Sequence, residues 1–103
     1  MSERIYVSGP VTGIADGNLP AFERARHDVY EQRPGATVLL PHWFVPAGAD
    51  WQHAMRSCIE TLVKCDAVAL LPGWRDSHGA RTEAGIAQML GMALFEVYGG
   101  DDR

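Results

Sequence analysis

Glu83 is the residue with the clearest chemical potential in this chain, because of what precedes it. The apolar run Asp66-Ala-Val-Ala-Leu-Leu71 leads into Pro72-Gly-Trp74, and then Ser77-His-Gly-Ala-Arg-Thr-Glu83 opens an amphipathic stretch. That layout predicts a strand, a glycine-containing loop and a helix whose first turn ends just short of the carboxylate. Such a carboxylate faces the C-terminal edge of a parallel sheet, where open α/β folds bind their ligands. The positive end of the helix favours anions and is expected to keep Glu83 ionised, able to attack an electrophile rather than donate a proton. The plainer reading is a solvated helix glutamate.

A second loop points to the same edge. Tyr6-Val-Ser-Gly-Pro-Val-Thr-Gly13 leaves the first apolar strand. Gly9 and Gly13 let backbone approach a ligand closely, and Gly79 does so beside free helix N–H groups, an arrangement suited to phosphate. Taken singly, either loop is equally well explained by tight turns, with Ser77 as a helix N-cap. Trp74 is expected at the mouth of the site, where an indole can stack on a nucleobase or close a subunit interface. His42, His53 and His78 lack paired spacing and read as surface or loop residues, with His78 nearest the site. No Cys/His spacing resembles a zinc site, and no metal or cofactor is expected.

The elements that would position these residues alternate along the chain as β-α-β-α-β-α-β. Strands are expected at Arg4–Ser8, Thr37–Leu40, Ala67–Leu71 and Leu94–Tyr98. Helices are expected from about Asn18, as N-cap, to Arg33, with Phe22, Ala25 and Val29 on one face, then over Asp50–Lys64 and Gly79–Met92. Pro34-Gly35 stops the first helix, and Pro41 through Gly48 forms a loop. Near-continuous apolar strands alternating with helices imply an α/β fold, a single small flavodoxin- or Rossmann-like domain over residues 1–103. Its sheet would have four parallel strands with helices on both faces.

Composition narrows the partners. The chain has 103 residues, 47% of them hydrophobic, and a net charge of -4. Without a basic stripe, polymeric nucleic acid and anionic membranes are poor partners, while a single nucleotide remains open. The start Met1-Ser-Glu-Arg lacks a signal-peptide layout and no apolar run reaches membrane-spanning length, so a cytoplasmic protein is expected. Cys58 and Cys65, on one helical pattern, would lie roughly 10 Å apart, too far to bridge. A sheet this small cannot deeply enclose a nucleotide, and Trp43 and Trp74 fall near the loop edge. A homodimer that covers them is expected.

Four blocks, Tyr6–Gly13, Asn18-Leu-Pro-Ala-Phe22, Cys65–Trp74 and Ser77–Glu83, stand in the order seen in the nucleoside 2-deoxyribosyltransferase-like superfamily. The chain resembles its short bacterial and phage-encoded branch, related to 2'-deoxynucleoside 5'-phosphate N-hydrolases. The resemblance spans nearly the whole chain and implies a small-molecule nucleoside or nucleoside 5'-monophosphate as substrate. In characterised relatives the glutamate matching Glu83 attacks the anomeric carbon, giving a glycosyl ester that water or a second base resolves. Tyr6 matches a family tyrosine near the end of the first strand, and its hydroxyl would orient Glu83, although it also reads as a core aromatic. By the same resemblance Ser8, Gly9, Val11, Thr12, Gly13, Trp74, Ser77 and Gly79 would bind substrate. Ser77 matches a phosphate-binding serine, whereas Thr12 stands where the monophosphate hydrolases carry a basic residue. Asp66, at the far end of its strand, reads as structural. One departure concerns the leaving group: relatives use an aspartate to help protonate the base where this chain has Cys58, which also reads as a small core residue. Asp50, Asp76 and His78 are the other proton sources. A non-catalytic nucleotide-binding protein is the alternative function.

Overall fold

The computed structural model describes residues 3–46 and 48–97. Strands β1 (Arg4–Ser8), β2 (Thr37–Leu39), β3 (Ala67–Leu70) and β4 (Ala93–Glu96) alternate with helices α1 (Leu19–Gln32), α2 (Trp51–Leu62) and α3 (His78–Met89). The sheet order is β2-β1-β3-β4 and every pairing is parallel, with Ile5 beside Val38 on one flank and Ala67 on the other. This is the expected four-stranded α/β architecture. The Tyr98 end of the expected fourth strand lies outside the described residues.

The chain moves outward from β1 to β2 through α1, then crosses back through α2 to β3, on the other side of β1. The order therefore reverses between β1 and β3. Parallel crossovers are right-handed, so this reversal puts α1 on one face and α2 with α3 on the other. Side-chain packing shows the division. Ile5, Val7, Phe22, Ala25, Val29, Val38, Leu40, Ala67 and Ala69 form one buried cluster, and Tyr6, Cys58, Leu62, Val68, Leu70, Ala84 and Ala87 form the other. At the C-terminal ends of β1 and β3 the connecting loops diverge and leave a crevice, the usual ligand position of an open α/β sheet.

Local chemistry sets the helix starts. Asp50 caps α2 by accepting the His53 N–H at 2.8 Å, and Ser77 caps α3 by accepting the Ala80 N–H at 3.2 Å. Asn18 does not cap α1 as expected. Its backbone is left-handed and its side-chain amide instead donates to the Pro10 carbonyl at 2.9 Å, tying α1 to the first loop. Cys65 lies beyond the end of α2 rather than on it, and both cysteines are free and buried. At the opposite edge of the sheet the Arg4 N–H donates to Asp66 Oδ2 at 2.8 Å, a strand-joining contact that agrees with the structural reading of Asp66. Among the described residues no helix is long and apolar enough to cross a membrane.

Candidate active site

The crevice is a cavity of about 520 Å³, within the range of small-molecule sites. Its walls come from four places. The first loop contributes Gly9, Pro10, Val11 and Thr12, and the segment after β2 contributes Pro41, His42 and Val45. Helix α2 supplies Trp51, Ala54, Met55 and Cys58, while Asp76 through Ala80 and Glu83 come from the start of α3. Tyr6 forms part of the floor.

Glu83 is 5% exposed, which rules out the solvated helix glutamate. Alternation along β1 explains its surroundings. With Ile5 and Val7 committed to the α1 face, Tyr6 and Ser8 project toward α3 and meet the carboxylate from below. The Tyr6 hydroxyl donates to Glu83 Oε2 at 2.8 Å and the Ser8 hydroxyl donates to Oε1 at 2.6 Å. Both carboxylate oxygens are thus held, and all three side chains are buried.

Burial also corrects an expectation about charge. The helix terminus was expected to favour the ionised form, but removal from water dominates and pushes the Glu83 carboxyl above its ordinary range. The hydrogen bonds from Ser8 and Tyr6 pull in the other direction. Burial likewise raises the Tyr6 phenol, helped by the neighbouring Glu83 and Cys58. The Cys58 thiol is pushed up to about 11, chiefly by burial, against a lowering by its hydrogen-bonding interaction with Tyr6. At neutral pH Cys58 is a protonated thiol in the cavity wall.

Among the other expected site residues, Gly9, Val11, Thr12, Ser77 and Gly79 line the cavity. The two glycines have a packing reason as well. A Cβ on Gly9 would sit 2.6 Å from Leu71 Cβ, so the chain leaving β1 can pass this close to the end of β3 only with glycine there, while a Cβ on Gly79 would sit 3.2 Å from Met55 Sδ, a tight contact that the thioether end would have to yield. Gly13 is absent from the wall and serves a turn, with φ at +82° and open space around it. Ser8 is 1% exposed and spends its hydroxyl on Glu83, a different use from the substrate contact expected of it.

Trp74 is a clear correction. Its indole N–H donates to Glu96 Oε2 at 3.2 Å, and the Arg75 guanidinium lies 4.6 Å from its ring centre. The acceptor at the end of β4 draws the ring out of the crevice into a separate groove lined by Arg81, Gln88 and Phe95. Of the three expected proton sources besides Cys58, Asp76 and His78 line the cavity, whereas Asp50 is spent on the α2 cap.

Sequence reasoning missed two features. His42 is part of the wall, its Nε2 lying 2.7 Å from the Gly17 carbonyl oxygen, which can only accept. The usable signal was its place directly after β2, at the same edge as the glycine loops. Trp51 stacks on His78 with ring centres 5.1 Å apart and overhangs the cavity with Met55. Its spacing with Met55 and Cys58 signals a helix and nothing more, and the first turn of that stripe lies at the sheet edge and faces a cleft.

The backbone is similar to that of a 2-desoxiribosyltransferase from Leishmania mexicana, with a TM-score of 0.69 at 19% identity, over 93% of this chain. The chain spans 64% of that protein's length, so the likeness is one of fold. No curated protein matches in sequence. Residues 3–96 match the family described as a domain of unknown function, DUF4406, and the chain belongs to that family.

Proposed function

We propose that this protein breaks the N-glycosidic bond of a nucleoside or nucleoside 5'-monophosphate, with Glu83 as nucleophile. The observation that carries this reading is the buried Glu83 carboxylate at a cavity wall, with each oxygen held by a neutral hydroxyl. Cleavage develops oxocarbenium character on the sugar, and a fixed carboxylate beneath the ring captures it. A Glu83 oxygen bonds to the anomeric carbon as the carbon–nitrogen bond breaks. The electron pair leaves with the base, which takes a proton from water or from Asp76 or His78. Water then splits the ester to release the sugar and regenerate Glu83; in a transferase a second base takes the place of water. In this reading the 5' end of the ligand meets Ser77 and the first turn of α3, which line the cavity.

A second reading, nucleotide binding without cleavage, draws support from Cys58. A thiol raised to about 11 is a weak proton donor beside the leaving group. Chromatographic detection of released base from a panel of nucleosides and monophosphates separates the two. The active outcome is base release that falls by at least about a thousandfold in Glu83→Ala. Binding of panel members without release assigns the second reading, and a rate within a few-fold of wild type in Glu83→Ala removes the nucleophile. We also propose the expected homodimer, with Trp43 and, in place of the half-buried Trp74, Trp51 shielded; these two are 53% and 44% exposed in the single chain. A single 11.3 kDa species in light scattering at micromolar concentration would exclude it.

A further inference from the structure

Ser8 is 1% exposed beside Glu83, and its geometry gives it a different task from ligand contact. We propose that Ser8 is a positioning residue for Glu83, clamping one carboxylate oxygen while Tyr6 clamps the other, so that only the lone pairs facing the cavity are left for a ligand. The inference rests on the reading of Glu83 as the reacting group.

The terminal torsion of a glutamate is broad and roughly two-fold, so one hydrogen bond leaves its carboxylate plane free to swing. Two donors from one strand remove that freedom. Tyr6 reaches Oε2 at 2.8 Å and Ser8 reaches Oε1 at 2.6 Å, and because the donors stand two positions apart on β1 they approach from the same side. An ionised carboxylate offers about four acceptor sites, and this arrangement uses two. Ser8 is 1% exposed and absent from the cavity wall, so its hydroxyl cannot serve both Glu83 and a ligand.

The clamp also acts on charge. Burial disfavours ionised Glu83, and of the two hydrogen bonds opposing that effect the one from Ser8 is the larger. The titratable groups around Glu83 are Tyr6 on β1 and Cys58 on α2, both held neutral by burial, with His42, Asp76 and His78 around the cavity. Strand β3 presents Val68 and Leu70 to this layer and adds no charge. Ser8 is thus the main neutral donor favouring the ionised form.

The test is a direct titration of Glu83 in the full chain by carbon-13 NMR of labelled glutamate carboxyls, the resonance being assigned from its loss in Glu83→Gln. Ser8→Ala, nearly isosteric, is expected to move the Glu83 midpoint upward by at least about 0.5 pH unit, and by more than Tyr6→Phe does. If Ser8→Ala does not fold, Ser8→Cys, which keeps the side-chain shape, is somewhat larger and has only a weak donor, must show the same upward displacement. A folded variant with an unchanged or lowered midpoint overturns the clamp. The titration needs no turnover, so a wild type that releases no base while its midpoint responds to Ser8 removes the glycosidase reading and leaves the clamp standing. Where base is released, the acid limb of kcat must move upward with the midpoint while KM stays within about twofold; an unmoved limb also overturns the proposal.

Discussion

Strand β1 sends Ile5 and Val7 to one face of the sheet and Tyr6 and Ser8 to the other, and all four side chains are buried. On the α1 face they meet Phe22, Ala25 and Val29, and burial of apolar surface stabilises at about 25 cal/mol per Å². On the α2–α3 face two hydroxyls and a carboxyl sit within an otherwise apolar layer. There burial opposes the charged form and hydrogen bonds offset only part of the cost. One backbone therefore carries a face that holds the domain together and a face that holds a buried ionisable group in place. Stability given up on one side of a strand and regained on the other is what a site built into a small core requires.

The widest separation between the faces is expected from Ile5→Ala. Removing a fully buried isoleucine side chain leaves a cavity and costs about 2–5 kcal/mol, measurable by urea unfolding. Ligand binding and base release per folded molecule are expected to stay near wild type, since Ile5 points away from the cavity. A folded variant that lost its ligand while keeping its stability would break the division between faces.

This division was legible in part from the sequence. Near-continuous apolar runs in Arg4–Ser8 and Ala67–Leu71 announce strands buried on both sides, and the spacing of Phe22, Ala25 and Val29 announces the helix that covers one of them. Glu83 was legible because a glycine loop and a helix start bracket it. The pairing of Ser8 with Glu83 was not, because it joins residues far apart in sequence through the register of β1 against β3 and the seating of α3. Trp74 misled for a related reason: its place after β3 put it at the correct edge, but its partner Glu96 lies on β4, at the other end of a crossover. His42 was hidden because a lone histidine has no spacing to read.

Cys58 tests how far the polar character of the second face can be extended. It lies in the cavity wall against Tyr6. Cys58→Asp is expected to raise base release by about tenfold, by giving the departing base a stronger acid. Burying the new carboxyl is expected to cost about 1–3 kcal/mol in urea unfolding. An unchanged or lower rate in the folded variant would mean that proton supply comes from elsewhere in the wall, with Asp76 and His78 the groups to replace next.

The smallest effect is the most specific to the cost of holding a carboxylate in the core. Burial raises the Glu83 carboxyl above its ordinary value of 4.5, so the folded chain keeps a proton that the unfolded chain has released. Where the folded state binds more protons, stability falls as pH rises. The loss begins near pH 4.5, grows until the folded-state value is passed, and is fully present above it. Below pH 4.5 both states are protonated and the cost disappears. Glu83→Gln removes the ionisation and keeps the shape, and the Ser8 and Tyr6 hydroxyls can rotate to meet an amide. At pH 7 this variant is expected to melt higher than wild type by about 4 °C, which corresponds to about 1 kcal/mol or less for a domain of this size. At pH 4 the difference should shrink toward zero. Thermal unfolding of both proteins at the two pH values decides it: an equal gap at both would mean that the charge of Glu83 costs the fold nothing, and that the second face is no less stable for carrying it.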